Sequence, residues 1–212
     1  MTITLTLDRA FGARDRDKLR PLDLSRCVHP ADWVRLPETL RARFAVRHAP
    51  TRYAASMRFE RSGIGAMFAI LAKPFGAPLP LHHRVDLPVV VDVYAMGNDV
   101  VWSRQLGPSS VVRSVKSAGP SGMVIERTDG GLGMVLAVTV NGDALVFTSR
   151  AFFLSIGRWR LPIPAWLTPG RCRVEHRAVD AERFRFTLTM THPLWGTTFR
   201  QTGLFTTLET LP

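Results

Sequence analysis

From residue 85 to residue 207 the chain is a succession of short segments in which apolar and polar residues alternate. Turn signals separate them: Gly97-Asn98, Gly107-Pro108, Gly119-Pro120, Asp129-Gly130-Gly131, Asn141-Gly142-Asp143 and Asp180-Ala181. Alternation with period two is the mark of a half-buried strand, and Asn-Gly between two alternating runs is the strongest local hairpin signal. The pattern predicts strands over residues 87–96, 99–105, 110–117, 123–127, 132–140, 144–155, 172–179, 183–192 and 197–207, preceded by one over 53–59. The links are too short for parallel crossovers, so neighbours pair antiparallel. A meander of about ten strands curls into a barrel or half-barrel rather than staying flat. The fold class is therefore mainly β, with one or two short helices near the N-terminal part.

Two segments depart from this pattern early in the chain. Over residues 29–44, Trp33, Leu36, Leu40 and Phe44 recur at helical spacing, and Pro37 predicts a kink or a split into two turns. Residues 64–75 are apolar nearly all round, with Ser62 as N-cap and Pro74 and Gly76 as the stop. Such a helix is covered by the sheet or touches lipid or a ligand. Residues 156–169, with Pro162, Pro164 and Pro169, read as a long rim loop or lid. Residues 1–24 read as a charged N-terminal arm and 25–212 as one barrel-like domain.

The hydrophobic share of 46% supports a sizeable core. No apolar run approaches the roughly 18 residues that span a bilayer, and the N-terminus has no secretory pattern. Cys27 and Cys172 are expected as free thiols, and the expected location is cytoplasmic. The 28 Lys and Arg residues against 17 Asp and Glu give a net charge of +11. A charge of that size favours an anionic partner such as an anionic membrane surface or a weakly anionic small molecule. The arginines are scattered through most strands instead of forming one stripe with interleaved aromatics, which argues against nucleic acid.

Motifs for chemistry are sparse. Gly63-Ile64-Gly65 sits between a strand and a helix, but Phe68 stands where a dinucleotide-binding turn needs its third glycine, and no βαβ unit follows. His82 and His83 point to opposite sides if extended. Cys172 and His176 share a strand face yet lie about 13 Å apart, too far for one metal ion. No cofactor or metal is implied, and no nucleophile motif is present.

What remains is polar residues in phase with apolar strand faces. His192 continues the set Phe184, Phe186, Leu188 and Met190; Gln201 continues Phe199; His176 follows Cys172 and Val174. Asp92 and Tyr94 project together with Val90, Trp102 shares a face with Arg104, and Glu126 alternates with Val124. An ionisable group inside an apolar shell is either paired or functional. The catalytic candidates are His192, Glu126, Asp92 and Tyr94. The ligand-binding candidates are Arg104, Trp102, His176, Gln201 and Trp195, with Arg104 placed to hold an anionic or carbonyl group.

Several local patterns occur in order: Trp102-Ser103-Arg104, Glu126-Arg127, Leu161-Pro162-Ile163-Pro164 with Leu167 and Pro169, Phe184-Arg185-Phe186, and His192-Pro193-Leu194-Trp195-Gly196 with Phe199 and Gln201. In these the chain resembles a bacterial domain-of-unknown-function family whose members stand alone or follow a saccharopine-dehydrogenase-like NAD(P)-binding domain. The resemblance covers roughly residues 28–207 and implies a β-rich shell. It implies no activity, and nicotinamide binding does not carry over because the dehydrogenase-like module is absent here. Three functions fit, in this order: binding of a hydrophobic small molecule or lipid in a barrel cavity; cofactor-independent isomerase, cyclase or hydratase chemistry by acid–base residues in that cavity; and a peripheral membrane-surface module.

Overall fold

The computed structural model describes residues 20–46, 50–76, 83–108 and 110–210. Within the described residues eleven strands follow one another: β1 (Thr51–Arg61), β2 (Arg84–Met96), β3 (Asp99–Leu106), β4 (Ser110–Ala118), β5 (Val124–Thr128), β6 (Leu132–Asn141), β7 (Ala144–Ile156), β8 (Trp159–Ile163), β9 (Arg171–Ala178), β10 (Arg183–His192) and β11 (Gly196–Thr210). All pairings are antiparallel. β1 bonds to both β2 and β11, and β6 bonds to β7, so ten strands close into a barrel. The eleventh, β8, lies outside this ring order. β6 occupies one edge of β7. The other edge bonds β9 over Ala144–Thr148 and then β8 over Phe152–Ile156. The barrel wall therefore parts above Thr148, and β8 fills the gap. The segment expected as an irregular rim loop is thus a hairpin strand plus a short 3-10 turn, Ala165–Leu167. Pro162 is tolerated there because β8 pairs on one side only.

In an antiparallel barrel alternate turns lie at opposite ends. One end carries the β2–β3, β4–β5, β6–β7 and β9–β10 turns, and the N-terminal segment plugs it. Helices α1 (Pro30–Arg35) and α2 (Glu38–Arg43) are separated at Leu36-Pro37, as Pro37 predicts. Leu36 and Leu40 pack with Leu22 and Leu24 against Val124, Leu136, Leu145 and Phe147. Leu22 N–H donates to Asn98 of the β2–β3 turn. The part of the arm from residue 20 onward thus joins the plug; residues 1–19 lie outside the described residues.

The other end is the mouth. Helix α3 (Gly63–Ala72) begins at Ser62, whose hydroxyl accepts from Gly65 N–H at 3.1 Å. Gly65 presses on β11 so closely that a Cβ would collide with the Thr198 carbonyl, and this contact accounts for the second glycine of Gly63-Ile64-Gly65. The turn after α3, Lys73–Phe75, is held on the β5–β6 side by Thr128 Oγ1, which donates to the Phe75 carbonyl at 2.6 Å. β11 and β5 are five strands apart in either direction around the ring, so α3 straddles the opening like a strap.

Candidate ligand-binding site

Between the plug and α3 the barrel encloses a cavity of about 310 Å³, at the small end of the range for ligand pockets. Most of its wall is apolar. Tyr53, Met57, Val89, Val91, Phe147, Phe184, Phe186 and Phe205 line the body; Phe68, Phe75, Phe152 and Leu167 line the mouth. The aromatic rings interlock: Phe184 stacks on Phe205 at 5.1 Å and meets Tyr53 edge-on at 5.4 Å.

One stretch of wall is different. On β3, β4 and β5 the inward positions hold Trp102, Arg104, Ser114, Lys116 and Glu126. Register brings them together. Lys116 lies directly across from Glu126, Trp102 lies across from Ser114, and Arg104 lies diagonal to Ser114. Three donors converge on one oxygen, Oε1 of Glu126: Ser114 Oγ at 2.7 Å, Lys116 Nζ at 2.9 Å and Arg104 Nη2 at 3.2 Å. Arg104 also donates to Ser114 Oγ at 3.1 Å. Both cations lie over Trp102, Lys116 Nζ at 4.6 Å from the ring centre and Arg104 at 5.6 Å.

The electrostatics follow from that crowding. Burial raises the Glu126 carboxyl, but Lys116 and Arg104, with the Lys116 and Ser114 hydrogen bonds, outweigh it and hold the group at about 2. Burial lowers the Lys116 amine to about 8 despite Glu126, and Arg104 adds to the lowering. The cluster contains two cations and one carboxylate, so it leaves one positive charge on the wall of an apolar chamber. Cys172 is fully buried, and burial, then Glu126, push its thiol up to about 12, which favours the protonated form.

His176 sits in the same cavity within an aromatic cage. Phe44, Trp102, Phe147, Phe184 and Phe186 surround it with ring centres 5.1–5.9 Å away. It is 3% exposed, and its Nδ1 has no hydrogen-bond partner among the described residues. Burial pushes the imidazole well below its ordinary value, and Arg43, Lys116 and Arg104 push the same way, so the ring is uncharged.

Of the residues singled out in the sequence, Glu126, Arg104, Trp102, His176 and Gln201 meet around this cavity. Asp92 and Tyr94 do not: they share a face, but it is the outer one. Val89, Val91 and Val93 fill the inner phase of β2, while Asp92 takes a two-pronged ion pair from Arg52 at 2.7 and 3.0 Å. The run Val89-Val90-Val91 makes β2 apolar on both faces there, so alternation alone assigns the wrong one. His192 is 1% exposed but belongs to the rim, not the cavity lining. Its Nδ1 accepts from Leu194 N–H at 3.1 Å, and its ring stacks on the half-exposed Trp195 at 4.1 Å. These two residues shape the β10–β11 turn. Lys116 and Ser114 are absent from the sequence candidates although they complete the cluster. Val111 and Val115 mark the outer face of β4 as the apolar one; the signal that finds the pair is instead their shared phase with Val112, in one of the chain's three lysines.

Among the described residues no group of three or more His, Cys, Asp or Glu side chains could hold a metal ion. No curated protein matches the chain. The family model described as Domain of unknown function (DUF4166) matches residues 36–205, which takes in all eleven strands up to the middle of β11 and every residue of the charged cluster, and the chain belongs to that family.

Proposed function

We propose that the barrel binds a small amphipathic molecule, with an apolar body among the aromatic rings and an acidic head group against Arg104 and Lys116. The observation that supports this reading is the charge imbalance of the wall: the buried Lys116 and the partly buried Arg104 share one carboxylate oxygen inside a mostly apolar chamber. Burying ions costs several kcal/mol each, and well-packed apolar residues would fold the barrel as well or better. An anionic ligand offsets that cost. Its head group would take the donor capacity that Arg104 and Lys116 do not spend on Glu126. The body would gain about 25 cal/mol for each Å² of apolar surface buried.

The test is a fluorescence titration, because Trp102 lies under both cations. A medium-chain fatty acid such as dodecanoate should bind more tightly than the alcohol of the same length, and Lys116→Met and Arg104→Gln should each narrow the difference. Equal affinity for acid and alcohol in the wild type would remove the anionic head group from the reading. No binding of either would remove the carrier itself. A second reading, cofactor-independent acid–base chemistry, draws support from Lys116, whose amine near 8 exchanges protons close to neutral pH in the same cavity as an uncharged His176. It requires a bound compound to be converted, with turnover lost in Lys116→Met while a neutral analogue still binds.

A further inference from the structure

The two ends of the barrel differ in what they show to solvent. At the mouth, α3 exposes Met67 and Ile70, the 3-10 turn exposes Trp166 and Leu167, the β7–β8 hairpin exposes Trp159, and the β10–β11 turn exposes Leu194, which is 75% accessible. These are large side chains on four separate elements that ring one opening. Among the described residues the plugged end shows only scattered ones, such as Val34 and Val179. Clustered exposed apolar residues of this size mark a contact surface, whereas isolated ones need no explanation.

Charge divides along the same axis. The plugged end carries most of the acidic side chains, including Asp23, Asp32, Asp143 and Asp180, and each of these four is ion-paired with an arginine. Around the mouth the acidic residues among the described ones are Glu60, Asp86 and Asp129. Glu60 is paired with Arg58 and Asp129 with Arg113, while Asp86 accepts from Ser56. Lys73, Arg84, Arg158 and Arg171 stand at the same end, exposed and without an ion pair among the described residues. Apolar side chains interleaved with unpaired cations are complementary to an anionic lipid surface.

The geometry points to the mouth end as a membrane-docking face. Met67, Ile70, Trp166 and Leu167 reach the boundary between head groups and acyl chains, and Lys73, Arg84, Arg158 and Arg171 meet anionic head groups. The contact is peripheral. Among the described residues no helix is long and apolar enough to cross a membrane, and the outer faces of the strands carry exposed Arg58, Arg150, Arg185 and Arg200. This docking stands on the surface alone. Its use, passing an amphipathic molecule from the bilayer beneath α3 into the cavity, rests on the reading in the preceding subsection.

Flotation with phosphatidylcholine vesicles, and with vesicles of equal parts phosphatidylcholine and phosphatidylglycerol, tests the surface. The protein should float with the second and far less with the first. Ile70→Glu combined with Trp166→Glu should lower partitioning about tenfold or more. Lys73→Glu should lower it about fivefold or more. Val34→Glu at the plugged end should leave it unchanged. All four substituted positions are exposed, and thermal melting confirms that each variant is folded. Failure of the wild type to float with anionic vesicles overturns the inference. So does flotation that ignores the mouth substitutions, or a dimer in solution that those substitutions dissolve, since the face would then belong to a second copy. Dodecanoate titration in the absence of vesicles separates the two proposals: vesicle binding lost with fatty-acid binding intact overturns docking alone, and the reverse overturns the carrier alone.

Discussion

Two walls of one barrel obey the same alternation rule and do opposite things with it. The wall made by β10, β11 and β1 turns Phe184, Phe186, Phe205, Tyr53 and Met57 inward and buries them against one another. The wall made by β3, β4 and β5 turns Arg104, Ser114, Lys116 and Glu126 into the same space. The first gains free energy from every ring it covers. The second recovers through three hydrogen bonds to Glu126 only part of what it loses by burying ions. The lesson is a division of labour: the aromatic wall supplies stability, and in the proposed function the charged wall supplies selectivity.

Four measurements sharpen or break that contrast. The largest effect is expected on the aromatic wall. Phe184→Ala removes a ring that touches Tyr53, His176 and Phe205 and lies under the Arg43 guanidinium at 3.5 Å, and it should cost about 3–5 kcal/mol in urea unfolding. The preference for an acid over an alcohol should survive. Glu126→Gln comes next, at about 3 kcal/mol, because it strands the buried Lys116 and the partly buried Arg104 while its amide oxygen still accepts from Ser114. If the walls divide the work as described, this variant should bind dodecanoate more tightly than the wild type does; weaker binding would make Glu126 part of the ligand contact.

The third measurement is pH dependence. Lys116 has its amine lowered from 10.5 to about 8, so between those values the unfolded chain holds a proton that the folded protein has released. Stability to urea should therefore rise with pH through that window, while affinity for dodecanoate falls, and Lys116→Met should flatten both trends. In acid the sign is opposite: Glu126 is lowered from 4.5 to about 2, so stability should be lost as pH falls through that range. The smallest effect belongs outside the barrel. Asp92→Asn breaks an Arg52 pair on the outer face and should cost under about 1 kcal/mol with no change in ligand binding. A loss comparable to that of Glu126→Gln would erase the distinction between inner and outer ion pairs.

The fold is legible in the sequence wherever turn chemistry and alternation agree. Asn141-Gly142 joins β6 to β7 as its dipeptide predicts, Ser62 caps α3, and Pro37 divides α1 from α2. β8 is hidden because Pro162 and Pro164 read as loop, and its single-sided pairing with β7 is a tertiary fact. The site is half legible. Trp102, Arg104 and Glu126 sit in phase with apolar neighbours on their own strands. Asp92 and Tyr94 fall on the wrong face because β2 is apolar on both sides, and Lys116 is missed because the inner face of β4 is the more polar one. Periodicity locates a buried face only when burial and hydrophobicity coincide, and on the charged wall they part.

The parting of the wall above Thr148 has a consequence for how the barrel breathes. Where β9 would otherwise bond β7, the Cys172 amide donates to the Ser149 hydroxyl at 2.8 Å, a side-chain partner that rotates about one bond. The ladder between β1 and β11 has no such joint; it is continuous over Tyr53–Arg61. Opening is therefore expected to begin at the β7–β9 seam and to travel from the mouth toward Thr148, and the Cys172 amide should exchange its hydrogen with solvent well before those of β1. A barrel closed in topology thus keeps a hinged edge, and the order in which its amides exchange would trace it.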